Sequence, residues 1–245
     1  MKKAFDFVSH KYLLECINKL NLPGWISKFL TRTIQEWQLS IHLNNKTILN
    51  KKVERGIIQG DSLSPLLFVL CMDPLSKRLN GKYPKPEIKL ESEVYTCNHL
   101  LFIDDLKLFA ESDDTLTKMM SETDRFFKSV GLEMNAKKSA TNSSGPMLGA
   151  TELSPTDSYK YLGITENRCS VVMRQPYTDL KNAIIDRTKS ICNTRLSDKN
   201  SIRALNKYAL SVANYYIGVV SMEPNDYESI DNEVRKVLIN HKVHL

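Results

Sequence analysis

Two aspartates, Asp104 and Asp105, stand side by side inside the otherwise apolar run Leu100-Leu101-Phe102-Ile103-Asp104-Asp105-Leu106-Lys107-Leu108-Phe109-Ala110. Strand-forming residues flank the acids on both sides, which predicts a tight hairpin with the pair at its tip. Burying adjacent carboxylates is costly unless cations compensate them. Divalent metal ions are natural compensators, and carboxylate oxygen is the donor that Mg²⁺ prefers. Adjacent aspartates fit a solvated turn equally well, so the pair alone leaves both readings open.

An upstream segment, Gly56-Ile57-Ile58-Gln59-Gly60-Asp61-Ser62-Leu63-Ser64-Pro65-Leu66-Leu67-Phe68, adds weight to the first reading. A glycine ahead of a helix start lets the backbone approach a bulky planar ligand, and the Gln59 amide can hydrogen-bond a base or sugar edge. A turn and a capped helix with no ligand would also explain this segment. The two segments occurring in this order and at this separation favour chemistry over coincidence.

The elements that must position these residues can be read from periodicity. Residues 9–20 and 25–37 read as helices, with the Pro23-Gly24 break between them. Residues 39–43 and 47–53 read as a hairpin around Asn44-Asn45-Lys46. Ser64 is the expected N-cap of a helix with Pro65 in its first position, stopping near Asn80-Gly81. Residues 94–102 and 106–110 are the strands around the acid pair. Ser112 or Asp113 caps a helix over 114–130 that Gly131 ends. Short strands follow near Met147 and over 161–164. From Gln175 onward the pattern turns helical, with a break over 196–200. Mixed strands and helices followed by an all-helical stretch predict an α+β core over 1–169 and a helical region over 170–245.

With 245 residues, 42% of them hydrophobic and 25% charged, the chain suits one large or two small globular domains. A net charge of +6 is compatible with a polyanionic partner without requiring one. Five cysteines far apart, with no CxxC or Cys/His cluster, argue against structural zinc and a disulfide framework. No apolar signal region follows Met1, and no apolar run approaches the roughly 20 residues that span a bilayer. These features read as an intracellular protein with no transport signal.

In order along the chain, Lys3-Ala4-Phe5-Asp6 with Val8-Ser9-His10, the Arg55–Phe68 stretch, Phe102-Ile103-Asp104-Asp105, Gly131-Leu132-Glu133-Met134-Asn135-Ala136-Lys137-Lys138-Ser139 and Tyr161-Leu162-Gly163 resemble five successive motifs of reverse transcriptases from non-LTR retrotransposons. The third motif usually carries alanine where Ile103 stands. Asp61 leans towards the site-specific, ribosomal-DNA-inserting branch. The resemblance implies a polymerase palm, an antiparallel sheet with packed helices, followed by a helical thumb. It implies an RNA-directed DNA polymerase using two Mg²⁺ ions (with Mn²⁺ as an alternative), an RNA template, a DNA primer and deoxynucleoside triphosphates. The rest of a retrotransposon polyprotein and a nuclear setting are implied as well.

By the same resemblance Asp104 and Asp105 are catalytic metal ligands, and Phe5 is the steric gate against a ribose 2′-hydroxyl. Gln59 and Gly60 contact the nascent pair, Lys138 lies near the phosphates, and Tyr161, Leu162 and Gly163 sit at the primer grip. The family's first metal-binding aspartate falls one position before Met1, so the third carboxylate, the first palm strand and the fingers are expected to be absent. Asp6 cannot substitute, being six residues further on, up to about 20 Å along an extended strand. The chain therefore reads as a fragment with impaired activity, or as a dead retrotransposon remnant that at most binds nucleic acid. An unrelated α+β binding module is the generic alternative.

Between residues 170 and 222 lie eight basic and three acidic residues. Lys199, Arg203 and Lys207 recur every four positions and line one helix face, while Ile202, Leu205, Ala209, Val212 and Tyr216 line another. The resemblance turns the basic face into a stripe along the template-primer backbone; a solvated helix face is the plainer reading. The histidines and Tyr215-Tyr216 offer no signal.

Overall fold

A computed structural model of the chain describes residues 1, 4–44, 46–90, 93–143 and 148–243. Lys3 and the strand expected near Met147 lie outside the described residues. Two compact units, Met1–Glu152 and Leu153–Leu245, divide the chain. The division sits earlier than residue 170 because Ile164 is buried with Tyr177, Leu180 and Ile184 of the following helix.

The first unit runs α1 (Ala4–Phe7), α2 (His10–Asn18), α3 (Gly24–Gln35), β1 (Gln38–Leu43), β2 (Lys46–Lys52), α4 (Ser64–Lys82), β3 (Glu87–Leu90), β4 (Glu93–Thr96), β5 (His99–Phe102), β6 (Asp105–Leu108) and α5 (Asp113–Val130). A 3₁₀ turn over Ala136–Lys138 and strands β7 (Ala140–Thr141) and β8 (Thr151–Glu152) follow. The second unit holds β9 (Ser158–Tyr161), β10 (Ile164–Asn167), α6 (Gln175–Asn193), α7 (Asp198–Ala204), α8 (Ala213–Tyr216) and α9 (Pro224–Asn240). Mixed helices and small sheets make this an α+β protein. Among the described residues the strands pair only two by two, with β7–β8 parallel and the other four pairs antiparallel hairpins. The single antiparallel sheet expected for the first unit is therefore not formed by these strands; the β5–β6 hairpin finds its burial against helices instead.

Helix α4 is the axis of the first unit. Leu67, Phe68, Cys71, Met72, Leu75 and Leu79 recur at three- and four-residue steps and are all buried. They pack with Leu13 and Ile17 of α2 and with Met119, Phe126 and Phe127 of α5. Ser64 does not cap this helix: Leu63 holds that position, and the Ser64 hydroxyl donates instead to the Ile58 carbonyl. The helix also runs past Asn80-Gly81 to Lys82, where its ammonium meets Glu122 of α5 at 2.7 Å. Arg78 and Arg125 complete a ring of cations around that buried carboxylate, at 3.5 and 3.6 Å. Helix α5 begins and ends as its sequence predicts. Ser112 accepts from the Thr115 amide at 3.3 Å, and Gly131 closes the helix at φ +86°.

In the second unit, α6 buries Tyr177, Leu180, Ile184 and Thr188, packing against Ile230, Val234 and Leu238 of α9. Arg174 grips Asp226 through both terminal guanidinium nitrogens, and Asp226 also accepts from the Glu223 amide to start α9. From α7 the chain passes through a π-helical turn over Leu205–Ala209 and a 3₁₀ turn over Leu210–Val212 into α8. Among the described residues no helix is long and apolar enough to cross a membrane.

Candidate active site and nucleic-acid interface

Strands β5 and β6 join through the two-residue turn Ile103-Asp104, with Phe102 and Asp105 as the last pair of the ladder. Asp104 is thus a turn residue and Asp105 opens β6, which places the acid pair at the hairpin tip. Strand alternation turns Leu101 and Leu106 towards the core and leaves Phe102 and Asp105 on the opposite face. Asp104 is half-buried and Asp105 exposed. Ile103 adopts φ +54°, a conformation that β-branched residues rarely take.

The base of this hairpin is fixed by residues that sequence reasoning passed over. The expected strand over 94–102 breaks at Cys97-Asn98. Asn98 is fully buried, and its amide donates to the Leu79 carbonyl at 2.8 Å and the Tyr83 carbonyl at 3.1 Å. Its own carbonyl oxygen therefore accepts from Nδ1 of His99, at 2.7 Å, leaving Nε2 to accept from the Ser76 hydroxyl at 2.8 Å. Burial, with the nearby Lys85 charge, holds the His99 imidazole below its usual pKa. An asparagine inside an apolar run signals a strand interruption, the one sequence clue available here.

A second cluster forms where the amino-terminal segment meets the loop before α4. The Ile57 amide donates to the Phe5 carbonyl at 2.7 Å and the Gly56 amide to the Val8 carbonyl at 2.9 Å. Gly56 has φ +89°, and a Cβ there would stand 2.8 Å from the Asp6 carbonyl oxygen, so only glycine fits. Arg55 locks the cluster to the end of α5, donating to the Phe7 carbonyl at 2.8 Å and the Gly131 carbonyl at 2.7 Å. His10, the last residue of the first motif in the sequence, holds the Gly56 carbonyl at 2.7 Å. Exposed Gln59 donates to Asp6 Oδ1 at 3.3 Å, Gly60 stands open at φ +96°, and the Phe5 ring stacks on Phe68 at 4.8 Å. Phe5, Asp6, Gln59 and Gly60 are thereby brought together.

The hairpin tip lies close to this cluster. The Met1 amino group donates to the Asp104 carbonyl at 3.4 Å. Four residues of chain from Met1 to Phe5 span at most ~14 Å. Lys138 is exposed at the end of the 3₁₀ turn. Among the described residues no group of three or more His, Cys, Asp or Glu side chains gathers as a metal site.

In the second unit, β9 and β10 turn through Leu162-Gly163, at φ +46° and +80°. The Tyr215 hydroxyl donates to the Leu162 carbonyl. Lys199, Arg203 and Lys207 are exposed while Ser201, Leu205 and Ala209 are buried, two rows of four-residue spacing on opposite sides. The row passes from α7 into the π-helical turn at Lys207, whose ammonium lies 5.2 Å from the Tyr208 ring. Other basic residues of the region are committed within the fold: Arg174 to Asp226, Lys181 to Ser229, Arg187 to the Tyr208 carbonyl.

Residues 1–165 match the reverse transcriptase (RNA-dependent DNA polymerase) family, and the chain belongs to it. The chain is 26% identical over 193 residues to the retrovirus-related Pol polyprotein from the type-1 retrotransposable element R2 of Popillia japonica, covering 72% of this chain and 31% of that protein. It is 29% identical to the polyprotein from the type-2 element R2DM of Drosophila melanogaster, over 74% of this chain and 18% of the relative. The type-1 R2 polyprotein of Nasonia vitripennis is 30% identical over 68% of this chain and 18% of its own length. The chain is thus a reverse transcriptase domain of the non-LTR retrotransposon kind, spanning less than a third of the length of these relatives.

Proposed function

We propose that this domain carries the nucleotidyl-transfer site of an RNA-directed DNA polymerase, with the first unit as palm and the second containing the thumb. The observation that carries the reading is the acid pair at the tip of a hairpin, in the same unit as the Phe5–Gln59 cluster and in a chain of this family. The substrates are an RNA template, a DNA primer and deoxynucleoside triphosphates, and the rest of a polyprotein is the natural partner.

Asp104 and Asp105 are the residues that would hold Mg²⁺. Their donor set fits, since Mg²⁺ is commonly bound by one or two carboxylates together with substrate phosphates, and Mn²⁺ accepts the same ligands. Bound there, two divalent ions would neutralise charge at the transferring phosphoryl group and activate the primer hydroxyl. The protein's own share is positioning. Phe5, braced on Phe68, blocks a ribose 2′-hydroxyl, and Gln59 and Gly60 present an amide and open backbone to the nascent pair. Lys138 offers a cation to phosphate, and the Tyr161-Leu162-Gly163 turn bears on the primer. Lys199, Arg203 and Lys207 form a basic row suited to a phosphate backbone.

A second reading is a remnant that binds nucleic acid without polymerising, for which the exposed row of Lys199, Arg203 and Lys207 would suffice. Primer extension on an RNA template with Mg²⁺ tests both readings. Extension should fall by about 10²-fold or more in Asp104→Ala. Extension unchanged by that substitution would contradict the role of Asp104, and robust extension by the chain alone would exclude the remnant.

A further inference from the structure

We propose that Tyr215 is a positioning residue, holding the β9–β10 turn and through it the 3′ end of the primer; the proposal rests on the assignment of Tyr161, Leu162 and Gly163 to primer binding. Both central residues of the turn have positive φ, as a type I′ hairpin turn requires. Gly163 takes that conformation freely, whereas Leu162 sets its Cβ against the following carbonyl. The ladder behind the turn has only four residue pairs, and a two-stranded hairpin of that length is marginal by itself. Burial of Ile164 against α6 supports the ladder from one side, and the Leu162 backbone itself remains to be fixed.

Tyr215 meets that requirement from α8. Its hydroxyl donates to the Leu162 carbonyl. Its ring edge lies against Gly163, where a Cβ would stand 3.6 Å from Cε1 and 3.7 Å from the hydroxyl oxygen. The Tyr215 ring is braced edge-on by Tyr216, 5.5 Å away, which itself packs on the core of the second unit. Tyr215 is 56% exposed, so core filling does not account for it. The bond to the turn is its distinctive contribution, and a turn whose carbonyl is pinned offers a fixed backbone edge to a nucleic-acid strand.

The test compares the full chain with Tyr215→Phe, which removes only the hydroxyl, and with Tyr216→Phe as control. Affinity is measured for a duplex with a recessed 3′ end and for a blunt duplex, beside amide hydrogen exchange over residues 162–164 and the urea midpoint. The wild-type chain should prefer the recessed end. Tyr215→Phe should lose about fivefold in recessed-end affinity, the worth of one hydrogen bond, and exchange faster at the turn. Its blunt-duplex affinity should stay unchanged and its urea midpoint should drop by no more than that one hydrogen bond accounts for, and Tyr216→Phe should match the wild type in every reading. Unaltered recessed-end affinity in Tyr215→Phe overturns the role of Tyr215 and leaves the primer assignment standing. Loss of affinity for both duplexes with a lowered midpoint reduces Tyr215 to a structural residue and overturns it too. Equal affinity of the wild-type chain for both duplexes removes the primer assignment, and the proposal with it.

Discussion

The β5–β6 hairpin is held at its base and the β9–β10 hairpin at its tip, although both turn through two residues with a bulky apolar residue at positive φ. In the first, Asn98 and His99 tie the strand entrance to α4 through the Leu79 carbonyl and the Ser76 hydroxyl. In the second, a tyrosine from a distant helix reaches the turn carbonyl directly. The difference follows the chemistry proposed for each tip. Carboxylates that are to bind ions must keep their oxygens available, so the anchoring belongs several residues away. A turn that acts through its backbone gains from being fixed where it acts.

The contrast can be broken most strongly at the base of the first hairpin. Asn98→Ala removes a fully buried amide and its bonds to the Leu79 and Tyr83 carbonyls, which should cost about 2–4 kcal/mol in urea unfolding. A cost below that of an exposed substitution would show that the hairpin is held by something other than this anchor.

A smaller effect sharpens the same point. Because burial depresses the His99 pKa, its contribution to stability is fully present above its ordinary value of 6.5 and is lost as pH falls through the folded value. The urea midpoint of the wild-type chain should decline between pH 7.5 and 5.5 more than that of His99→Gln. Parallel declines would mean that the neutral imidazole bridging Ser76 and Asn98 contributes nothing to the hold on the strand.

Much of this architecture was legible in the residues. Ser112 and Gly131 bound α5 because a side-chain cap and a left-handed terminus are local devices. The acid pair lands at a turn because strand formers on either side leave it no other place. The boundaries of the α7–α8 run were harder to read, since α-, π- and 3₁₀-helical turns draw on the same residue types. Ser64 looked like a cap because it precedes Pro65, yet its hydroxyl is drawn to the Ile58 carbonyl across the loop. Asn98, His10 and Tyr215 act on partners 15 to 53 residues away, and no periodicity announces a hydrogen bond at that range. The hairpin β3–β4 was missed for a related reason, as Glu87 and Lys89 gave its first strand a polar cast.

The central claim is that the tip of β5–β6 is a divalent-ion site, and it can be tested without relying on turnover. Mn²⁺ titrated into the chain with a deoxynucleoside triphosphate, with free ion followed by electron paramagnetic resonance, reports binding directly. The account predicts that the wild-type chain takes up Mn²⁺ and that Asp104→Ala and Asp105→Ala each weaken uptake by about tenfold or more, equivalent to about 1.4 kcal/mol. Uptake that is the same in all three proteins would contradict it.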